Sequence, residues 1–411
     1  MRSQFPTGMK SKQPYQPTGY RFRLRSFFLL AGLLAVRPPT WAQTNTGATK
    51  PYATIDRESV AYRGPVRASP DTKGAAVIGM ILPLTGALQA EGNTLLVAAR
   101  LAVEQENAVG RIPGGKLELA VRDENGPWGQ TSMEILKLYD QDHAVAILTS
   151  ANGASAHLAE QIANKISIPI LTLASDPSTT QANVPWLFRL GPSDTDQAQA
   201  FCQRIYRDLA LKQVLLIAQT DHDGRAGAAE FEKSAKTFHA PPPHRLDCTD
   251  AAPNSASLEQ ALRANSPDAI VVWSDSPFAG SIMPILHAIV PATPVFFCRK
   301  ATQVGSPEKR WAEQLTIDSM PDQDDARSKF QTVYFARAGV KPSEAAYEIA
   351  RGIHAIAEGL RVNGTNRVLL RDYLANEPGS RHGDAAISVN FDAAGNDVHA
   401  FAVVKLLPVK P

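Results

Sequence analysis

The chain is short of cysteine, of net charge and of long apolar runs. Its three cysteines, Cys202, Cys248 and Cys298, are spread through 411 residues. An odd, widely spaced set forms no zinc or redox motif. It leaves room for at most one disulfide, whose partners the spacing does not choose. Lysine and arginine number 42 against 40 aspartates and glutamates, a net charge of +2. So small an excess argues against a nucleic-acid partner or a polybasic membrane surface. The apolar run at 27–36 is too short for a membrane-spanning helix, which needs about 20 residues. Histidines at 143, 157, 222, 239, 244, 287, 354, 382 and 399 are scattered, with no HExxH and no paired ligand spacing. No Gly-x-Ser-x-Gly elbow, P-loop or dinucleotide fingerprint occurs, and GRIPGG at 110–115 lacks the Lys-Ser/Thr ending of a phosphate loop. These gaps leave no catalytic residues, metal or cofactor to expect. The one compact acid–imidazole cluster, Asp221-His222-Asp223, reads as a charged surface loop.

What is present is an alternation of strands and helices. VIGMILPLTG at 77–86 is a continuous apolar run stopped by Pro83, the pattern of a buried strand. Leu95, Ala98, Ala99, Ala102 and Val103 recur at helical spacing. LELAVRDENG at 117–126 is a second strand that ends in charged residues. Strand, helix, strand opens an α/β domain. The rhythm continues with helices at 130–140, 156–165 and 198–209, and strands at 144–149, 168–173 and 187–190. A second series follows, with strands at 214–218, 244–248, 269–273 and 294–298 and helices at 226–238, 257–264 and 279–289. Two domain-sized series imply two similar α/β lobes with mainly parallel, doubly wound sheets. Helical periodicity returns at 324–338, 345–361 and 367–375. Residues 386–391 and 399–406 flank a turn at 392–396 and read as a hairpin.

The N-terminus reads as a targeting segment. Arg21, Arg23 and Arg25 precede the apolar run, and Thr40-Trp41-Ala42 resembles a small-x-small cleavage site. Residues 1–42 are therefore a signal peptide, with no cysteine near the cut to carry a lipid. Residues 43–74, rich in Thr, Pro, Gly and Ser, read as a flexible tether.

From about residue 75 to 407 the chain resembles the type I periplasmic binding proteins, most closely the leucine/isoleucine/valine-binding family. The resemblance rests on LPLTG (82–86), AVEQENAVG (102–110), VRDENGPW (121–128), SANGASAHLAEQIANKISIPILTLASDPS (150–178), FRLGPSDTDQA (188–198), AYEIARGIHAIAEGL (346–360) and NFDAAGND (390–397). No one motif is specific; their order and spacing carry the match. It implies two lobes joined by three crossovers, one from 75–190 plus 318–383 and the other from 191–317 plus 384–411. It also implies a ligand in the interlobe cleft at the carboxyl ends of the strands.

Site residues follow from the same resemblance. Asn152 and Ser155 stand where the family holds a ligand carboxylate at a helix start, and Ser155 also suits a plain N-cap. Ala174, Ser175 and Asp176 match the second ligand loop, and Gln89 lies in the loop after Thr85-Gly86. In the second lobe the family's aromatic before glycine is replaced by Asp223, which suits either a ligand ammonium or a helix cap. Asp275 and Ser276 occupy another contact position. The family's acidic residue after the strand at 294–298 is here Arg299 or Lys300, which puts a standard α-amino acid in question. Arg299 then offers bidentate pairing to an anion or faces solvent. Tyr347 either closes the cleft or joins the core. The implied protein is a non-enzymatic, monomeric periplasmic receptor that delivers a small amino acid, amide or carboxylate to an ABC permease. A ligand sensor of the same fold and an envelope regulator with a degenerate cleft are the alternatives.

Overall fold

The structure, a computed structural model, describes residues 74–126, 129–182, 184–249, 255–302, 315–318, 325–376, 389–400 and 402–406. The expected signal peptide (1–42) and all but Gly74 of the expected tether (43–74) lie outside these residues.

The first lobe is built on β1 (Ala76–Leu82), whose run AVIGMIL is buried on both faces. Its neighbours are β2 (Leu117–Asp123), β3 (Ala146–Thr149), β4 (Ile170–Thr172) and β5 (Leu187–Arg189), in the order β2-β1-β3-β4-β5. All four pairings are parallel. Parallel strands need crossovers, and these are α1 (Gln89–Val109), α2 (Gln130–Asp140), α3 (Gly153–Ile166) and the short α4 (Ser178–Gln181). Successive β1 side chains feed opposite faces. Ile78, Met80 and Leu82 join one core with Leu95 and Ala98 of α1, while Ile81 joins another with Ile135, Leu138 and Ala159. Gly92 lets α1 start against the end of β1, since a Cβ there would stand 2.0 Å from the Pro83 carbonyl oxygen.

The second lobe contains α5 (Asp194–Cys202), continued by a π-helical turn (Gln203–Asp208), then β6 (Val214–Gln219), α6 (His222–Thr237), β7 (His244–Cys248), α7 (Ser255–Asn265), β8 (Ala269–Trp273), α8 (Ser276–Ile289), β9 (Val295–Phe297) and β10 (Leu315–Asp318). A last strand, β11 (Val403–Leu406), completes a sheet in the order β11-β10-β9-β8-β6-β7. Among the described residues of this sheet, only the β10–β11 pairing is antiparallel. Between β10 and β11, α9 (Asp325–Ala338), α10 (Glu344–Asn363) and α11 (Arg367–Asn376) return to the first lobe. There Tyr334, Ile349, Ile353 and Leu370 enter its core. Two doubly wound, mainly parallel lobes are thus the architecture that the patterning implied.

The differences are local. The strand β10 and the short α4 are absent from the sequence-based reading: four residues carry too little periodicity to register. Of the expected hairpin, 386–391 with 399–406, the described residues keep a short antiparallel bridge from Phe391 to Asp397 around the turn, while β11 pairs with β10. Alternation marks a strand without naming its partner, which is the sheet edge that packing leaves open. Residues 386–388 of that expected pair lie outside the described residues. The turn at 392–396 sits on the first lobe, where Phe391 lies 4.8 Å from Phe188 and Asn396 bridges to Arg189. All three cysteines are buried and unpaired. Burial pushes the Cys202 and Cys298 thiols up to about 12 and Cys248 up to about 11.

Candidate ligand-binding cleft

The carboxyl ends of both parallel sheets face a common cleft, as open α/β sheets favour. On the first-lobe side, β3 runs into Ser150–Asn152 and then α3. The cap of α3 is Asn152, whose Oδ1 accepts the Ser155 N–H at 3.1 Å. Ser155 itself lies inside the first turn, its hydroxyl 3.0 Å from that of Thr131. These residues border a cavity of about 400 Å³ that Glu124, Leu158 and, from the second lobe, Asp275 also line. Ser150 donates to the Glu124 carboxylate, but Glu124 Oε1 has no hydrogen-bond partner. Burial raises the Glu124 carboxyl above its ordinary value. Asp275 caps α8 by accepting the Phe278 N–H at 2.8 Å, and it still faces the cavity. Ser276 is the first residue of α8 and only partly exposed.

The second ligand loop behaves differently. Ala174 donates its N–H to Thr172 Oγ1 at 3.1 Å, and the Ser175 carbonyl accepts the Asp194 N–H at 2.8 Å. Asp176 turns its carboxylate to protein partners. Oδ1 accepts the Ser178 N–H and hydroxyl at 2.9 and 2.7 Å. Oδ2 faces His157 Nε2 at 3.1 Å and His222 Nε2 at 2.7 Å. Burial opposes ionisation of Asp176, yet the hydrogen bonds from His157, Ser178 and His222 outweigh it and hold the carboxyl well below the usual range. Hydrogen bonds to Asp176 and Glu160 push His157 up to about 9.

In the middle of the cleft the lobes meet through their own side chains. The cap of α6 is Asp221, which accepts the Gly224 N–H at 2.8 Å. Asp223, expected as a helix cap or a ligand contact, instead accepts the Gly153 N–H of the first lobe at 2.9 Å and pairs with Lys300. Gly153 leaves room for this contact, since a Cβ there would stand 2.4 Å from Asp223 Oδ1 and force that side chain to move. Burial would lower the Lys300 ammonium, but Asp223 and Asp221 raise it above its ordinary value. The void among Ser175, Asp194, Asp223, Trp273 and Lys300 measures about 10 Å³.

The structure decides four further readings. Arg299 neither faces solvent nor stands as a bare anion clamp: it is 3% exposed and pairs with the fully buried Glu348 of α10 across the lobes. Tyr347 lies in the first-lobe core, its ring 5.4 Å from Phe330, because the first turn of α10 faces inward. Gln89 is the exposed first residue of α1 and not part of a loop. His222 is no plain surface charge, since it reaches Asp176 across the cleft. Sequence reasoning missed His157, Glu348, Glu91, Glu124 and Asp194 as cleft groups. Burial pushes Glu91 and Asp194 each up to about 7. The only signal for Glu124 was its place in the acidic turn after β2.

Two doubly wound lobes meeting at a polar cleft are the architecture of the type I periplasmic binding protein fold. The chain belongs to the periplasmic binding protein family, whose profile matches residues 76–369. A curated relative, the "Amino acid binding protein" of Pseudomonas aeruginosa, is 29% identical over 150 residues, covering 36% of this chain and 40% of that protein. The chain spans under half the length of the curated relatives it matches. Among solved structures, the leucine binding protein LivK from Thermotoga maritima aligns with a TM-score of 0.71 at 17% identity, covering 81% of this chain and 95% of that one. A solute binding protein of an ABC transporter from R. palustris, in complex with benzoate, aligns with a TM-score of 0.71 at 17% identity over 82% and 94%. These structures share the fold. Among the described residues, no helix is long and apolar enough to cross a membrane.

Proposed function

We propose that the chain is a non-enzymatic, monomeric solute receptor of the periplasm, exported by residues 1–42, that hands its ligand to an ABC permease. The observation that carries this reading is the cavity of about 400 Å³ at the strand ends, with walls from both lobes. Its chemistry favours a small solute bearing a carboxylate and an amine, an amino acid or a close amide. The start of α3, with Asn152 and Ser155, suits the carboxylate. Glu124 and Asp275 suit the ammonium, and an incoming cation relieves the buried, half-satisfied Glu124 carboxylate. The basic Arg299 does not argue against an amine, because Glu348 already neutralises it. A ligand that touches Asp275 and the α3 start together stabilises the closed arrangement, which is the differential affinity that hinge closure requires.

The test is a thermal-shift screen with amino acids, their amides, small dicarboxylates, polyamines and urea-like compounds. A ligand at about 100 times its dissociation constant adds roughly 2.7 kcal/mol. Hits among amino acids support the reading; hits confined to amine-free carboxylates overturn the ammonium assignment. One observation favours a second reading. The Asp223–Lys300 pair leaves a central void of about 10 Å³, room for about one water. A screen with no hits would favour an envelope regulator, or a sensor of another ligand class, whose cleft is held by its own side chains.

A further inference from the structure

Two histidines 65 positions apart converge on one carboxylate oxygen where the lobes meet. His157 Nε2, His222 Nε2 and Asp176 Oδ2 all lie within 4.8 Å of one another. His157 comes from α3 and Asp176 from the loop after β4, both in the first lobe, while His222 opens α6 of the second. We propose that these three side chains form a site for a transition-metal dication, zinc above all, that bridges the lobes.

The donor set fits. Two imidazole nitrogens and one carboxylate oxygen suit zinc, and three protein ligands leave a fourth position for water or a solute atom. Tetrahedral zinc with bonds of about 2.0–2.2 Å sets its ligand atoms about 3.3–3.5 Å apart. The two imidazole nitrogens stand 3.1 and 2.7 Å from Asp176 Oδ2, with all three donor atoms within 4.8 Å of one another, so to admit the ion the carboxylate withdraws by less than about an ångström and the two nitrogens draw in to about 3.4 Å apart. The imidazole rings cross edge to face, 77° apart with centroids at 5.5 Å. Both ring nitrogens face Asp176 Oδ2, and His157 Nε2 also lies 3.0 Å from Ser178 Oγ, a contact that metal binding would displace.

The surroundings also fit. Glu160 Oε2 lies 3.3 Å from His157 Nδ1, the carboxylate–histidine–metal relay that orients a metal-binding imidazole. Asp176 Oδ1 is taken up by Ser178, which fixes the carboxylate with Oδ2 free to face the ion. The two histidine side chains are 31% and 37% exposed, which leaves a route in from solvent. Because the ligands come from both lobes, the ion holds the closed arrangement. Metal and interlobe solute then bind with positive coupling.

The experiment uses the chelator-stripped protein, melted with and without Zn²⁺ and titrated with Co²⁺, whose visible bands report tetrahedral coordination. Zn²⁺ is expected to raise the melting temperature. Co²⁺ is expected to show intense bands. His157→Gln and His222→Gln, one from each lobe, are each expected to weaken binding at least about 100-fold. Glu160→Gln touches no metal and is expected to weaken it about 10- to 100-fold. Metal-free melts show whether each variant folds. His222, partly exposed at a helix start, keeps the test open if His157→Gln fails to fold. No Zn²⁺ effect on the wild type, or one that survives in both histidine variants, overturns the proposal. Small-angle scattering with and without Zn²⁺ checks the bridge, and binding with no compaction refutes its closing role. None of these readouts depends on the solute, so a failed solute screen and a failed metal site are distinguishable.

Discussion

Glu91 offers a sharp test of the cleft electrostatics. It lies in the first turn of α1, is 2% exposed, and its Oε2 has no hydrogen-bond partner. Burial is the main cause that raises its carboxyl from 4.5 to about 7, with Glu124 and Asp275 adding to it and Lys300 opposing. At about 1.36 kcal/mol per pH unit, that rise corresponds to about 3 kcal/mol. Between 4.5 and about 7 the folded state binds the extra proton, so stability falls as pH rises through that window. Glu91→Gln keeps the shape and removes the charge. It is therefore expected to stabilise the protein by about 3 kcal/mol at pH 8 and by less than about 1 kcal/mol at pH 5. In thermal melts the gain at pH 8 is about 4 °C for a folded region of about 330 residues. An equal gain at both pH values would show that charge is not the cause. A loss at pH 8 would refute the burial argument outright.

Three further outcomes are expected. Asp275→Asn keeps the α8 cap, since asparagine caps as well as aspartate, but removes the charge facing the cavity; calorimetry should show an amine-bearing ligand bound about 10- to 100-fold more weakly. Glu106 joins α1 to α10 through His354 and Arg361, each at 2.7 Å. Burial opposes its ionisation, but those partners hold its carboxyl below the ordinary value, so its contribution is full above about pH 4.5 and is lost as pH falls through the lowered value. Glu106→Gln should cost about 3 kcal/mol in urea unfolding at pH 7, and the cost should shrink in acid. Asp223→Ala strips Lys300 of its main partner and should destabilise by about 3–5 kcal/mol, read as a lower melting temperature; an unchanged melt would show that the pair adds no stability.

Much of the fold is legible in the residues. β1 is a continuous apolar run because both of its faces are covered, and α1 carries its stripe because one face packs on the sheet. Asn152 and Asp275 line the cavity, because strand-end loops in such sheets point to the cleft. Arg299 and Tyr347 show the limit. Each matched a family position, yet which way a side chain turns depends on a partner far along the chain: Glu348 for Arg299, 49 residues away, and Phe330 for Tyr347.

The sequence by itself determined the two α/β lobes, the order of their elements and the loops that border the cleft. Those features follow from local periodicity and from the right-handed crossover that parallel strands require. Tertiary structure alone decided which charges meet. His157 and His222 are unremarkable in sequence, one inside a helix and the other in a charged loop. They become a pair only because two separately folded sheets bring α3 and α6 to the same oxygen of Asp176. Periodicity reports which face of an element is buried; it carries no information about what the opposite lobe will place against it.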